Sequence, residues 1–265
     1  MANNLEPIVE RNLSIAWANG FLQLMNEPNG RQSPFVISIQ NPEGGNFLEV
    51  DGIRQLLDGE LRSQGCSTCH TVANTIFPWS MWNPKLGPQA LYDRYDAAWP
   101  RIKRVRNNWR GVYFQRLINF DEAEPRVNQL RHIISTWQCG NHRQSALQGA
   151  VFDPRRDHND ARQLGFPCLH QVAFSPQGTN GVNGLAVTGF YATQTMFEKT
   201  YGNLLGLSRL GRFMSQQMGL ELVGVTCIAA LEILSQKSSK KKLADLSHRL
   251  AALTPDPHHI QGALP

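Results

Sequence analysis

The sequence predicts an α/β (α+β) fold in which amphipathic helices alternate with short apolar strands. The chain has 265 residues, 41% hydrophobic and 18% charged, so it can bury a large core as one α/β domain or as two small ones. Apolar residues recur at helical spacing over residues 127–137, whereas residues 35–39 form a continuous apolar run that is typical of a buried strand. Segments of both kinds occur along the chain, which predicts the mixed class.

The N-terminal half is predicted to be mainly helical. Pro28-Asn29-Gly30 separates the first helix from the first strand. The short run at 71–77 is apolar and ends at a proline, so both helix and strand remain open there. The predicted elements are helices over 10–25, 50–64, 89–98 and 127–137 and a strand over 35–39.

The C-terminal half is predicted to combine strands with one long helix. That helix covers 203–218, with Asn203 suited to the N-cap and Gly219 to the C′ position. The Gly/Asn-rich residues 177–184 predict a hairpin-type connection. The remaining predictions are strands over 146–152, 169–174, 185–193 and 220–234 and a short helix over 243–253.

The net charge of +5 is concentrated in one short region. Residues 237–249 hold five basic residues and one acidic residue, or +4, which leaves 21 basic and 20 acidic residues, or +1, elsewhere. A basic surface that binds nucleic acid is spread over a folded face, whereas this charge begins in a Ser/Lys-rich run at 236–242. We therefore expect a domain over 1–236, then a basic linker, short helix and tail over 237–265, and no nucleic-acid partner.

Neither a membrane span nor an export signal is evident in the sequence. No run approaches about 18 consecutive apolar residues, and the N-terminus lacks a basic segment followed by an apolar one. The odd number of cysteines, at positions 66, 69, 139, 168 and 227, favours reduced thiols. We expect a cytoplasmic protein without a membrane partner.

Cys168 is the cysteine whose surroundings favour chemistry. A thiol reacts as its thiolate, so a nucleophilic role needs nearby positive charge or a base. If Cys168 enters a strand, His170 lies on the same face. Arginines of the preceding loop, at 155, 156 and 162, or of another subunit, can supply the charge. The alternative is a small, inert, buried cysteine.

The run Phe166-Pro167-Cys168-Leu169-His170 and the segment that follows it resemble the nucleophile segment and next helix of the thymidylate synthase and deoxycytidylate hydroxymethylase superfamily. From Asn203 to Leu222 the spacing matches the family pattern without a gap, including Gln216-Gln217. The resemblance implies a thymidylate synthase-like single domain with a large mixed sheet flanked by helices. It also implies a homodimer formed through the sheet face.

The same resemblance implies a reaction and a cofactor. In this family the cysteine attacks C6 of a pyrimidine, which activates C5 to take a one-carbon unit from 5,10-methylenetetrahydrofolate. Cys168 is then the nucleophile, and Asn203 corresponds to the asparagine that hydrogen-bonds the pyrimidine ring.

Earlier residues match the family in the right order. Arg31 falls where the family carries a phosphate-gripping arginine, and Arg143 falls where an arginine pair reaches across the dimer. Gly111-Val112-Tyr113 resembles the family's Gly-x-Val-Tyr, which assigns Tyr113 to the substrate site. Arginine forks suit phosphate oxygens, and a solvated surface side chain is the alternative for each arginine.

The chain departs from the family at three points. Tyr191 is followed by Ala192-Thr193-Gln194-Thr195, where the family has an Arg-Ser pair, so Gln194 offers the substrate only a neutral, weaker hydrogen bond. The family's His-x-Tyr is missing from 223–234. Its catalytic glutamate falls at Asn74, whose amide cannot act as a general acid or base, with Glu60 as an alternative.

Two motifs before residue 83 are also candidates for binding. The family stacks folate on tryptophans in this region, so Trp79 and Trp82 are expected to bind the cofactor, with a core or interface role as the alternative. Cys66-Ser67-Thr68-Cys69-His70 has the C-x-x-C-H spacing of haem attachment, and its side chains are also zinc ligand types. Haem attachment requires an exported compartment and zinc a fourth ligand, so we expect no metal.

The sequence therefore predicts one of two functions. The first is a methyl or hydroxymethyl transferase acting on a pyrimidine nucleotide or related heterocycle, with Cys168 as nucleophile and Arg31 and Arg143 as the anion grip. The second is a catalytically inactive protein of the same fold that binds a nucleotide or a partner protein.

Overall fold

A mixed sheet of seven strands lies at the centre of the computed structural model, which describes residues 6–40, 42, 46–121, 127–140, 142–158, 166–179 and 182–254. The strands are β1 (Ile8–Glu10), β2 (Arg31–Gln32), β3 (Phe35–Gln40), β4 (Gln148–Ala150), β5 (Leu169–Thr179), β6 (Val182–Thr195) and β7 (Glu221–Ile233). Their order is β1-β3-β7-β6-β5-β4, and β2 pairs with β7. The pairs β1–β3 and β6–β7 are parallel and the others antiparallel, so the predicted mixed sheet is confirmed.

Helices flank this sheet, as predicted. They are α1 (Leu13–Asn26), α2 (Asp51–Ser63), α3 (Cys69–Ile76), α4 (Gly87–Ile102), α5 (Tyr113–Ile118), α6 (Gln129–Gln138), α7 (Pro154–Asp157), α8 (Tyr201–Met218) and α9 (Lys240–Leu253). Short 3-10 turns occupy Trp79–Met81, Pro84–Leu86, Arg106–Asn108 and Gln144–Ala146. Helices α1 and α8 pack against the sheet, and α3 packs on α8.

Three predicted elements can be compared directly with the structure. The open segment at 71–77 is helix α3, which Thr68 caps by accepting the Thr71 N–H through its hydroxyl. The predicted strand at 146–152 is shorter, because a 3-10 turn precedes β4 and α7 follows it. The predicted hairpin has its centre, residues 180–181, outside the described residues, but β5 and β6 pair antiparallel on both sides of it.

The prediction that Asn203 is the N-cap of the long helix is wrong. A π-helical turn, Met196–Thr200, leads directly into α8, so Asn203 is the third residue of that helix. The helical backbone therefore begins before the position that the cap preference indicates. The prediction for the other end is confirmed, since Gly219 closes α8 in the left-handed conformation with φ of 68°.

Helix α8 approaches α3 so closely that only glycine fits at the contact. A Cβ on Gly202 would lie 2.5 Å from Val72 Cβ and 2.8 Å from the carbonyl oxygen of Cys69. At Gly206 it would lie 2.9 Å from the carbonyl oxygen of Ala73. The two helices therefore pack backbone against backbone, which fixes the start of α8 relative to α3.

The basic segment after β7 is more firmly attached than a solvated linker. Most of its lysines are exposed, as expected, but Lys240 Nζ donates to the carbonyl oxygen of Met25 at 2.8 Å. Glu198 accepts the backbone N–H groups of Gln236 and Lys237, both at 3.1 Å. Helix α9 then buries Leu243, Leu246 and Leu250 against α1 and α2.

The two faces of the sheet differ in exposure. On β6 and β7, Val187, Tyr191 and Val225 are buried under α8, whereas alternate residues face outward. On this outer face Phe190 is 40% exposed and lies opposite Ile228, which also pairs with Val36. An apolar strip thus crosses three neighbouring strands.

We expect Gly202→Ala to lower the free energy of unfolding by about 1–3 kcal/mol, because the added methyl group overpacks the contact with Val72. Gly59→Ala is the matched control, since it lies in α2 with nothing within 4 Å of an added Cβ. That control should gain about 0.5–1 kcal/mol from helix propensity. Urea unfolding measures both, and equal effects of the two changes would contradict the close packing.

Candidate functional site

Cys168 lies directly before β5, and Tyr113 contacts it from α5. Its carbonyl oxygen accepts the Ala192 N–H at 3.0 Å, which places the residue beside β6. The Tyr113 hydroxyl lies close enough to the Cys168 side chain for each group to alter the pKa of the other. The structure therefore brings together two of the predicted site residues, and it places a phenol beside the thiol.

A buried ion pair holds this segment in position. The Arg116 guanidinium donates to both carboxylate oxygens of Asp157, at 3.0 and 2.9 Å, and both side chains are almost fully buried. Arg116 also lies 5.0 Å from the ring centre of Phe166, which stacks on Tyr113 at 5.4 Å. The ion pair thus supports the aromatic pair that flanks Cys168.

The electrostatics of the thiol combine opposing effects. Cys168 reaches the surface, yet its sulfur is enclosed enough for desolvation to raise its pKa. The positive charge of Lys199 and the hydrogen bond from Tyr113 act in the opposite direction and favour the thiolate. Desolvation lowers the pKa of Lys199, and the negative charge of the thiolate raises it.

Lys199 replaces the positive charge that the sequence assigned to loop arginines. It lies in the π-helical turn between β6 and α8. Arg155 and Arg156 are instead engaged with Asp153, at 3.5 and 2.7 Å, and Arg162 lies outside the described residues. Because Lys199 approaches Cys168 only through the fold, its part in the site was missed, although a lone lysine between Tyr191 and Asn203 was a visible signal.

The other predicted substrate residues lie in different environments. Asn203 is buried near the start of α8, and Gln194 is buried in β6. His170 stacks on Phe152, with ring centres 4.6 Å apart, and the charge of Asp157 acts on it. His170 also makes an edge contact with Phe190 of β6 at 6.0 Å, so its neighbours differ from Tyr113 and Lys199, which act on Cys168.

The predicted anion-gripping arginines are both at the surface. Arg31 is exposed in β2 and pairs through its backbone with Ile233 of β7. Arg143 is exposed directly before the 3-10 turn that leads to β4. Either guanidinium is accessible to a ligand.

Asn74 belongs to a separate polar cluster. It lies on α3, and its amide oxygen accepts from Arg209 of α8 at 3.3 Å. The alternative residue, Glu60, accepts from Gln64 at 2.7 Å. Neither predicted position places an unengaged carboxyl group at the site.

The two tryptophans pack against the core and against an arginine. Arg212 lies over one face of Trp79, 5.2 Å from its ring centre, and Trp82 makes an edge contact with Phe213 at 4.9 Å. The indole N–H of Trp82 is buried, and no residue that the structure describes accepts from it. This packing agrees with the core alternative, and a ligand could accept from that N–H group.

The side chains of the C-x-x-C-H motif point to different partners. The Cys69 thiol is buried beside Asp58, which raises its pKa together with desolvation, and His70 contacts Arg54 and Arg209. All five cysteines are free thiols. Across the described ranges, no three His, Cys, Asp or Glu side chains converge as metal ligands.

A buried polar cluster next to the site was also missed. Glu232 of β7 is fully buried, lies opposite Gln194 of β6 and accepts from the Thr200 hydroxyl at 2.6 Å. Desolvation raises the pKa of Glu232 to about 8, against the lowering effect of Thr200. One Glu232 oxygen and the Gln194 amide nitrogen have no partner among the described residues. The lone acidic residue in the apolar run 222–234 was the sequence signal for this cluster.

No protein-family model matches this chain, and no curated protein sequence matches it. Within the described part of the chain, no helix has both the length and the apolar character needed to cross a membrane. Fold and site together define a mixed α/β protein with a surface cysteine under the influence of a tyrosine and a lysine.

We expect Glu232→Gln to remove a pH dependence of stability. The folded-state pKa of about 8 exceeds the ordinary value of 4.5, so the folded protein binds the extra proton between these values. The stabilisation is complete below about pH 4.5 and is lost as the pH rises towards 8, by at most about 1.4 kcal/mol per pH unit. The glutamine variant keeps an acceptor for Thr200, so its stability relative to the wild type should increase over this range.

Urea unfolding at pH 5, 6, 7 and 8 measures this difference. Glu221→Gln, at an exposed position of the same strand, is the control and should follow the wild type. If Glu232→Gln and the wild type lose stability equally as the pH rises, Glu232 is already ionised at pH 5. That outcome would contradict the raised pKa.

Proposed function

We propose that the protein is a one-carbon transferase, forming a methyl or hydroxymethyl product on a pyrimidine nucleotide or a related heterocycle. The observation that carries the proposal is the position of Cys168 at the surface, where burial of the sulfur raises its pKa while the charge of Lys199 and the Tyr113 hydroxyl act to lower it. A nucleophilic cysteine needs this combination of access and thiolate stabilisation. The resemblance over residues 166–222 supports the same assignment.

The proposed chemistry begins with addition of the Cys168 thiolate to C6 of the pyrimidine. A carbon–sulfur bond forms, and the electron pair of the C5–C6 double bond moves towards the C4 carbonyl oxygen. Lys199 and Tyr113 stabilise the thiolate before attack and again when the carbon–sulfur bond breaks. In the proposal Asn203 hydrogen-bonds the pyrimidine ring, and Gln194 and His170 contribute to substrate binding. Arg31 and Arg143 bind the phosphate.

The resemblance implies methylenetetrahydrofolate as the one-carbon donor. Trp79 and Trp82 would hold it, and the unpaired indole N–H of Trp82 fits a ligand that carries a carbonyl oxygen or ring nitrogen. When bound, the cofactor supplies the one-carbon unit that C5 accepts. Arg212 already covers one face of Trp79, so stacking there would use the other face.

The second candidate function is binding without turnover. It is favoured by Asn74, which stands where the family has its catalytic glutamate and already accepts from Arg209. Without a carboxyl group at that place, proton transfer during the reaction lacks its usual carrier. In this second proposal, the residues around Cys168 bind a nucleotide or a partner protein.

A covalent-adduct experiment separates the two functions. The protein is incubated with a 5-fluoropyrimidine nucleotide and methylenetetrahydrofolate, and the intact mass is measured. We expect the wild type to gain the mass of one nucleotide and one methylenetetrahydrofolate, and Cys168→Ser to gain neither. We expect Lys199→Met to form the adduct about tenfold more slowly, because the variant loses a positive charge that favours the thiolate.

Two charge controls accompany this experiment. Lys199→Arg keeps the positive charge and should react nearly as the wild type, and Lys242→Met removes an exposed charge from α9 and should change nothing. Tritium release from the 5-position of labelled deoxyuridine and deoxycytidine monophosphates measures turnover. Nucleotide binding without adduct or tritium release would establish the second function instead.

We also propose a homodimer formed through the outer face of the sheet. The apolar strip of Val36, Phe190 and Ile228 supports it, since exposed apolar patches of this kind mark interaction sites. Sedimentation velocity should give a dimer for the wild type and a monomer for Phe190→Lys. Arg249→Gln, on the exposed side of α9, should remain dimeric. A monomeric wild type would refute the proposal.

A further inference from the structure

His70 lies between two arginines from different helices. Arg54 Nη1 of α2 is 2.6 Å from His70 Nε2, and Arg209 Nη2 of α8 contacts His70 Nδ1. The other Arg209 nitrogen donates to Asn74, four residues after His70 on α3. His70 and Asn74 are exposed, so solvent reaches the cluster.

The hydrogen-bond donors in this cluster outnumber the acceptors. A guanidinium only donates, and a neutral imidazole accepts at one ring nitrogen while the other carries a proton. One of the two arginine contacts therefore sets a donor against a donor, and protonation of His70 would make both do so. An acceptor-only group between the two guanidinium groups would satisfy both.

The two arginines beside His70 differ in their ion pairing. Arg54 lies 3.3 Å from Glu49 and 2.8 Å from Asp51. Among the described residues, no carboxylate lies within 4.0 Å of Arg209, and the charge of Glu49 acts on it from further away. Arg209 is thus the guanidinium of this cluster without a direct ion pair in the described part of the chain.

The ionisation of His70 depends on its burial and on the charges around it. Its pKa is lowered first by desolvation and then by the charges of Arg209 and Arg54, while Glu49 and Asp58 act in the opposite direction. A bound anion would reverse the effect of the arginines. By linkage, protonation of His70 would strengthen anion binding by the same factor.

We propose that Arg54, His70, Asn74 and Arg209 form a binding site for a phosphate group. In the structure the His70 ring occupies the space between the two guanidinium groups. The anion binds in that space, and the His70 ring moves aside and donates a hydrogen bond to it. Arg54 can offer Nη1 to a ligand, because its Nε and Nη2 contact Glu49 and Asp51. A tetrahedral phosphate has enough terminal oxygens for this donor, a fork from Arg209 and an imidazolium, whereas a carboxylate has two oxygens. This site uses none of the residues assigned to the one-carbon reaction except Asn74, and it does not depend on that reaction.

NMR of the His70 ring tests the proposal directly. The His70 signal is identified by its loss in His70→Gln, and its titration is followed with and without inorganic phosphate at constant ionic strength set by chloride. We expect phosphate to raise the His70 pKa, and phosphate affinity to increase as the pH falls through that pKa. A His70 pKa that is the same with and without saturating phosphate would overturn the proposal.

Variants show which arginine carries the binding. Arg209→Gln should weaken phosphate binding by about tenfold or more, the effect of losing a charge-assisted bidentate contact. Arg209→Lys keeps the charge but not the fork and should bind with intermediate affinity. Arg249→Gln removes an equal charge from an exposed position of α9 and should bind as the wild type. Equal affinity in Arg209→Gln and the wild type would refute the site.

The source of the phosphate group follows from a second set of titrations in the Cys168→Ser variant. Inorganic phosphate, deoxyuridine monophosphate and deoxyuridine are compared by their effect on His70. A shift with inorganic phosphate alone supports a free phosphate, and a shift with the nucleotide but not the nucleoside supports a phosphate ester. If deoxyuridine shifts the His70 pKa as much as inorganic phosphate and deoxyuridine monophosphate do, the cluster does not recognise a phosphate group. Failure here leaves the Cys168 adduct unaffected, so the two proposals fail independently.

Discussion

Helix α8 packs against α3 so closely that backbone atoms form much of the contact. Gly202 and Gly206 allow this approach, and at both positions an added Cβ would lie within 3 Å of α3 atoms. On its other side α8 covers β6 and β7, where Leu207 fills the space above Gly189. Because α8 is fixed between α3 and the sheet, the groups at its start and along its length have fixed neighbours. Both proposed sites depend on this arrangement.

The thiol site lies at the sheet side of α8. The π-helical turn before the helix carries Lys199 towards Cys168, and Thr200 at its end binds the buried Glu232. The opposite wall is built by the Arg116–Asp157 ion pair. A buried pair of this kind adds little stability compared with apolar packing, but removing one partner leaves an unpaired charge in the core. Its role here is to hold the Phe166 ring, and through it Tyr113, in place.

The second site lies at the α3 side of the same helix, and it changes the interpretation of two sequence motifs. His70, part of the C-x-x-C-H spacing, and Asn74, which the predicted alignment sets at the position of a catalytic glutamate, both contact Arg209. Neither acts on Cys168 through the contacts seen here. The neutral amide of Asn74 leaves the charge of Arg209 uncompensated at this contact. An uncompensated cation suits a bound anion, and an amide cannot transfer a proton as a carboxylate does.

The sequence alone determined the class of fold and most of its elements. The hydrophobic period, the helix end at Gly219 and the break at Pro28-Asn29-Gly30 are local signals, and tertiary contacts did not override them. It also predicted that Cys168 and Tyr113 belong to one site, since both lie in recognisable runs, and the structure places them together. Tertiary structure alone decided what surrounds them. Lys199, Arg116 and Glu232 are far from Cys168 in the chain, and their effects depend on desolvation and distance, which sequence spacing does not contain. The N-cap at Asn203 was wrong for the same reason, because contacts of the preceding turn, and not the residue's own preference, set where the helix begins.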